Sequence, residues 1–122
     1  MLADHVVAEF GRRMGLPELS LEAGRPVQLH ISGSGTLFLE SAEGEVFLYL
    51  ARSFPPYDRE APRRALLLCR PDLPRPFQVY AGLYKENTLL FLARFPEERF
   101  SVQTLEQAVP VLSALLDQAL SG

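Results

Sequence analysis

Apolar and polar positions alternate most regularly between Pro26 and Ala51, where the chain reads PVQLHIS-GSG-TLFLESA-EGE-VFLYLA. Strands point successive side chains to opposite faces, so three such runs joined by glycine turns predict a three-stranded antiparallel meander. One face would carry the core set Val27, Leu29, Ile31, Leu37, Leu39, Val46, Leu48 and Leu50. The other carries Gln28, His30, Glu40 and Glu45, but also Phe38, Phe47 and Tyr49. A sheet apolar on both faces needs helices on one side and something else on the other. Gly33-Ser34-Gly35 and Glu43-Gly44 supply turn residues suited to positive φ.

Helical spacing flanks this meander. Residues 2–14 place Leu2, Ala3, Val6, Val7, Phe10 and Met14 in one arc at 100° per residue, with Asp4, Glu9, Arg12 and Arg13 largely elsewhere. Gly15 and Pro17 close that helix, and residues 18–25 form a polar connector. Gly11 inside it costs about 1 kcal/mol against alanine, as a tolerated weakness or for a close backbone approach. Near the other end, Leu105, Ala108, Val109, Leu112, Leu115, Leu116, Ala119 and Leu120 share an arc of roughly 140°. Thr104 and Gln107 read as a capping box, while Pro110 is expected to bend or delay the helix.

Between these parts, Pro55-Pro56 stop the third strand. Residues 58–70 predict a short helix with Pro62 in its first turn and Pro71 beyond its end. Its run Ala65-Leu66-Leu67-Leu68-Cys69 is apolar all round and needs cover on more than one side. A subunit partner or burial within the monomer would supply it; a strand is the remaining alternative. Pro71–Pro76 form a stiff extended connector. Phe77–Tyr84 and Thr88–Phe95 then predict a hairpin about Lys85-Glu86-Asn87, with asparagine tolerating the left-handed region. The expected fold is α+β, one domain over residues 1–122 in the order α-β-β-β-α-β-β-α, with an antiparallel sheet flanked by helices.

Bulk properties narrow the class. A chain of 122 residues holds one core without room for a second. Apolar residues at 48%, charged residues at 22% and a mean hydropathy of +0.05 suit a soluble globular protein. The net charge of −3 and scattered Lys and Arg argue against nucleic acid, which requires a concentrated basic face. Cys69 is the single cysteine, so no internal disulfide forms and a reducing compartment fits. The charged N-terminal stretch does not read as a signal peptide, and no run reaches the roughly 18 apolar residues of a membrane span. A cytoplasmic location follows as an expectation.

Candidate chemistry is sparse. His5 and His30 are the only histidines, and no Cys or His spacing suggests a metal site. Cys69 in a leucine run reads as a structural thiol rather than a nucleophile. Ser32-Gly33-Ser34-Gly35 precedes a strand, whereas a phosphate cradle needs helix N-terminal amides at that point. Glu40, Glu43 and Glu45 flank a hairpin turn, where a solubilising charge cluster is the simpler reading than an acid/base pair. Neither an enzyme, a cofactor nor a bound metal is expected. What remains is surface: an aromatic second sheet face, an over-apolar short helix, and sheet edges able to accept an extended peptide.

The residues in order resemble a known group. Phe10-Gly11 followed by Met14-Gly15-Leu16-Pro17 is similar to the N-terminal motif of class I type III secretion chaperones, the Tir-chaperone (CesT-like) group. Val27-Gln28-Leu29, Ser34 to Glu40, Leu48 to Ser53, Ala81-Gly82-Leu83 and the Leu89-to-Phe95 strand resemble SycN-like members most, over nearly the whole chain. The chain departs from the group in its proline content around the second helix, at Pro55-Pro56, Pro62 and Pro71–Pro76. The resemblance implies a bacterial cytoplasmic chaperone, bearing on virulence, that acts without nucleotide. It would pair with a YscB-like chaperone as a heterodimer and hold an extended N-terminal segment of a YopN-like secreted gatekeeper, keeping it competent for export and regulating that export. A homodimeric effector chaperone, or a non-secretory α/β protein-interaction adaptor, is the alternative. The pattern nominates Phe38, Phe47 and Tyr49, with Phe10 and Met14 from the first helix, for cargo contact. It nominates Leu66, Leu67 and Tyr80 for the subunit contact.

Overall fold

The computed structural model of the protein describes residues 2–13, 27–70, 77–85 and 87–120. Helix α1 (Leu2–Arg13) is followed by strands β1 (Val27–Ile31), β2 (Gly35–Ala42) and β3 (Glu45–Ser53), and by helix α2 (Ala61–Leu68). Strands β4 (Val79–Tyr84) and β5 (Thr88–Pro96), a single 3-10 turn at Glu97–Arg99 and helix α3 (Val102–Leu120) complete the chain. All strands pair antiparallel in one five-stranded sheet of order β1-β2-β3-β5-β4. The meander forms as its alternation requires. The α2 crossover then takes the chain past β3, so that β5 pairs with β3 and β4 lies at the edge.

The core lies on one side of this sheet. Leu37, Leu39, Val46, Leu48 and Leu50 are fully buried there, joined by Leu89, Phe91 and Ala93 of β5. Leu29 and Ile31 of the edge strand β1 pack against this core but stay half-buried. Helix α3 covers the buried face with Leu105, Ala108, Leu112, Leu115, Leu116 and Ala119, and α1 adds Val6, Val7 and Phe10 to the same cluster. Arg52 projects from β3 toward this helix layer. Its guanidinium donates to Asp117 Oδ1 at 2.6 Å, to Ser113 Oγ at 3.3 Å and to the Ser34 carbonyl at 2.9 Å, pinning the β1–β2 turn to α3.

Several local details differ from the sequence pattern. The short helix is confined to Ala61–Leu68, with Pro62 in its first turn, and the turns around Tyr57 and Arg59 precede it. Helix α3 is capped by Ser101, whose Oγ accepts from the Thr104 N–H at 3.0 Å; Thr104 is its third residue, not its cap. A serine hydroxyl at the N-cap supplies one of the orphan amides with a partner. The helix also runs on through Pro110 to Leu120. Pro110 and Glu106 both face solvent, so water can satisfy the Glu106 carbonyl that the proline leaves without an N–H. Among the described residues of the β4–β5 hairpin, positive φ falls on Lys85 (59°) and not on Asn87. Strand β4 begins at Val79, two residues after Phe77, whose ring instead meets Phe95 edge-on at 5.4 Å.

Gly35 is the turn residue with a steric reason. Its φ is +132°, and a Cβ there would run into the Ala51 carbonyl of the neighbouring strand. Met14, Gly15, Pro17, the 18–25 connector and the Pro71–Pro76 connector lie outside the described residues.

Candidate functional site

Strand parity leaves the second face of the sheet without any described helix. Register places Gln28, Phe38, Tyr49, Leu92 and Tyr80 in one row across all five strands. A parallel row nearer the β2–β3 turn holds Glu40, Phe47 and Arg94; another, toward the hairpin tip, holds His30, Thr36, Ala51, Leu90 and Gly82. Phe38, Phe47, Tyr49, Leu90 and Leu92 are half-buried, and Tyr80 is exposed. Phe38 and Tyr49 face each other across β2 and β3 with their rings stacked, centroids 5.1 Å apart and planes 12° from parallel. Such cross-strand aromatic pairs contribute about 0.5–1.5 kcal/mol beyond their area.

Among the described residues, Tyr49 makes the polar tie inside this patch. Its hydroxyl donates to Glu40 Oε1 at 2.6 Å. Burial among the flanking rings, and then the Glu40 carboxylate it donates to, push the Tyr49 phenol well above the usual tyrosine range. It therefore stays a neutral donor, and the patch keeps an apolar character with a single anchored edge. Arg94 and Glu45 pair at 3.6 Å at the margin.

A second apolar surface lies on α2 and the edge strand beside it. Leu66 and Leu67 are 65% and 51% exposed, while Ala61 and Ala65 on the same helix are buried against the core. Leu83 of β4, pointing to the helix side of the sheet, is 54% exposed. The leucine run thus divides. Alanines and half-buried Leu68 face inward, and the two central leucines face out.

Of the residues nominated from the pattern, Phe38, Phe47 and Tyr49 fall together on the face that carries no described helix. Phe10 does not join them: it is 5% exposed and packed in the core beneath the helices. Met14 lies outside the described residues. Leu66 and Leu67 share the α2 surface, whereas Tyr80 sits on the opposite side of the sheet, in the aromatic row, because it pairs with Leu92. Sequence reasoning missed Leu90, Leu92 and Leu83, since neither face of the hairpin could be assigned before its register was known. Among the described residues no group of His, Cys, Asp and Glu is placed to hold a metal ion, and no helix is long and apolar enough to cross a membrane.

The model of the type III secretory system chaperone SycN family matches residues 2–120. The chain belongs to that family. Solved structures agree in fold. The HopA1-SchA chaperone-effector complex contains a chain 19% identical, with a TM-score of 0.73 and coverage of 99% of this chain and 94% of that one. The ExsC-ExsE complex gives 20% identity and a TM-score of 0.72, covering 96% and 87%. The Yersinia pestis type III secretion chaperone SycH, in complex with a stable fragment of YscM2, gives 18% identity and a TM-score of 0.63 over 97% of both chains. Among curated proteins none matches the sequence. The SycN family is one of type III secretion chaperones, and the antiparallel sheet with its helices is the fold these solved chains share.

Proposed function

We propose that this chain holds an extended N-terminal segment of a YopN-like secreted gatekeeper, keeps it competent for export and helps regulate that export. In this reading it works in the bacterial cytoplasm as a heterodimer with a YscB-like chaperone. The observation that carries the reading is the presence of two apolar surfaces on opposite sides of the sheet. Phe38, Phe47 and Tyr49 lie on the face without a described helix, and Leu66 and Leu67 on α2. Contiguous exposed apolar patches mark protein contacts, and membership of a chaperone family fits partners that are polypeptides. The aromatic face suits the segment: at about 25 cal/mol per Å² of apolar area, burying a few large side chains offsets much of the cost of ordering a disordered chain. The α2 leucines suit the second subunit.

Co-expression with the N-terminal segment of a YopN-like gatekeeper and with a YscB-like chaperone, followed by mass measurement of the intact complex, tests this directly. The expected product is a ternary complex in which the segment resists protease. Phe47→Asp should keep the fold and the subunit pairing while losing the segment. A segment left as cleavable as in isolation would instead favour a dimerising adaptor, and a complex of this chain with itself would favour the homodimeric chaperone.

A further inference from the structure

The outward leucines of α2 stand between arginines. Residues 58–70 hold Arg59, Arg63, Arg64 and Arg70 against only Asp58 and Glu60, a basic stretch in a chain whose net charge is −3. Arg64 and Asp58 satisfy each other in the layer beneath, so the outer surface presents Arg59, Arg63 and Arg70 with Glu60, all four exposed. Arg63 meets Glu60 loosely, at 3.8 Å with both side chains mostly in water, where such a pair is worth little. Arg63 also stands in the first turn of α2, the end at which the helix dipole favours an acid, and Glu60 gives that end no side-chain cap. The stability of the helix itself therefore does not account for the arginine.

We propose that these arginines choose the subunit α2 accepts: they oppose pairing with a second copy of this chain and favour a chaperone whose facing helix is acidic. The proposal rests on the function proposed above and specifies the chemistry of the second subunit. Symmetry supplies the reason. In a two-fold dimer the same patch meets itself. With Leu66 and Leu67 on the axis and the two helices antiparallel, Arg63 of one copy lies opposite Arg70 of the other, and the two-fold repeats the contact. With the helices parallel, Arg63 meets Arg63 and Arg70 meets Arg70. Either arrangement sets arginine against arginine at both ends of the leucine contact. Juxtaposed like charges exclude partners that apolar contact alone would accept. A facing helix with Asp or Glu at the matching positions keeps the leucine contact and turns both repulsions into ion pairs. Arginine's forked guanidinium suits that exchange, since it can donate two hydrogen bonds to one carboxylate.

Arg63→Glu is the test, because the side chain is 76% exposed and an acid suits the first turn of α2, so the fold is retained. Sedimentation measures self-association of the purified chain and, separately, its association with a YscB-like chaperone. Wild type is expected to self-associate weakly at about 0.15 M sodium chloride and more strongly at about 1 M, where the screening length falls from about 8 Å to about 3 Å. Arg63→Glu is expected to strengthen self-association at least about tenfold, because the new carboxylate faces Arg70 of the other copy, and to reverse its salt dependence. The same variant is expected to weaken association with the YscB-like chaperone at least about tenfold. Opposite signs in the two assays separate partner choice from damage to the helix, which would weaken both. Self-association of Arg63→Glu within about twofold of wild type, or a wild type that pairs with itself as tightly as with the YscB-like chaperone, would overturn the proposal. A wild type that does not bind the YscB-like chaperone would instead remove the heterodimer proposed above, and self-association of the variant would still decide the role of the arginines.

Discussion

Arg64 of α2 donates its Nε–H to the Ala119 carbonyl at 2.6 Å, joining the short helix to the last turn of α3. The same guanidinium meets Asp58 Oδ2 at 2.5 Å, and both partners of that ion pair are more than two-thirds buried. One side chain thus satisfies an orphan helix-end carbonyl and fixes the segment leading into α2. It also sets which way α2 is rolled, with Ala61 and Ala65 inward and Leu66 and Leu67 outward. Arg64→Met keeps most of the stem packing but removes both bonds, and is expected to cost about 1–3 kcal/mol. A denaturant midpoint equal to that of wild type would show that the contact does not matter to stability.

Leu67→Asp addresses the outward side of the same helix. The residue is half exposed, so the charge is tolerated in a lone copy, and circular dichroism should be unchanged. At a subunit contact it would leave an unpaired carboxylate in an apolar interface, and association is expected to weaken at least about tenfold. An unaltered elution volume and mass would remove α2 from the interface.

Gly35→Ala probes the tightest point of the meander. The substitution combines a positive φ with a collision against the Ala51 carbonyl of β3, and backbone cannot retreat as a flexible side chain would. A loss of more than about 2 kcal/mol is expected, read from the urea midpoint. Gly33→Ala, where nothing lies within 4 Å of the added Cβ, should cost distinctly less.

Alkaline pH provides a test of the Tyr49–Glu40 pair. Burial and the neighbouring carboxylate raise the folded phenol above its unfolded value of about 10. Its contribution is therefore complete below the unfolded pKa and is lost as pH climbs through the folded one, because the unfolded chain releases that proton first. The absorbance difference at 295 nm between wild type and Tyr49→Phe should show one phenol ionising later than an ordinary tyrosine. A step centred near 10 would count against the pairing.

How far the sequence anticipates this molecule depends on the range of the signal. The meander was legible because its alternation is local: Leu37, Leu39, Val46, Leu48 and Leu50 all proved fully buried, and Phe38, Phe47 and Tyr49 all fell on the reverse side. Phe10 was legible as an arc residue of α1, and the arc meant core rather than cargo surface. Ser101 was hidden by a neighbour, since Thr104 and Gln107 satisfy the same capping signature three residues later. Lys85 takes a left-handed position although asparagine has the greater intrinsic tolerance for it, because the hairpin register sets which residue sits there. Tyr80 was illegible for a deeper reason. Its surroundings come from β3, β5 and β4 lying side by side, and no pattern within one strand specifies that order.

Gathering every described helix on one side of the sheet has a consequence for a copy that has not yet met its client. Its half-buried aromatic rows and the outward leucines of α2 are then left for idle copies to adhere through. Excluded salts such as sulfate strengthen this adhesion, so they should bring the unaccompanied protein out of solution while its core is still intact. For the cell that makes it, the safest arrangement is synthesis in step with the molecules that will shelter it.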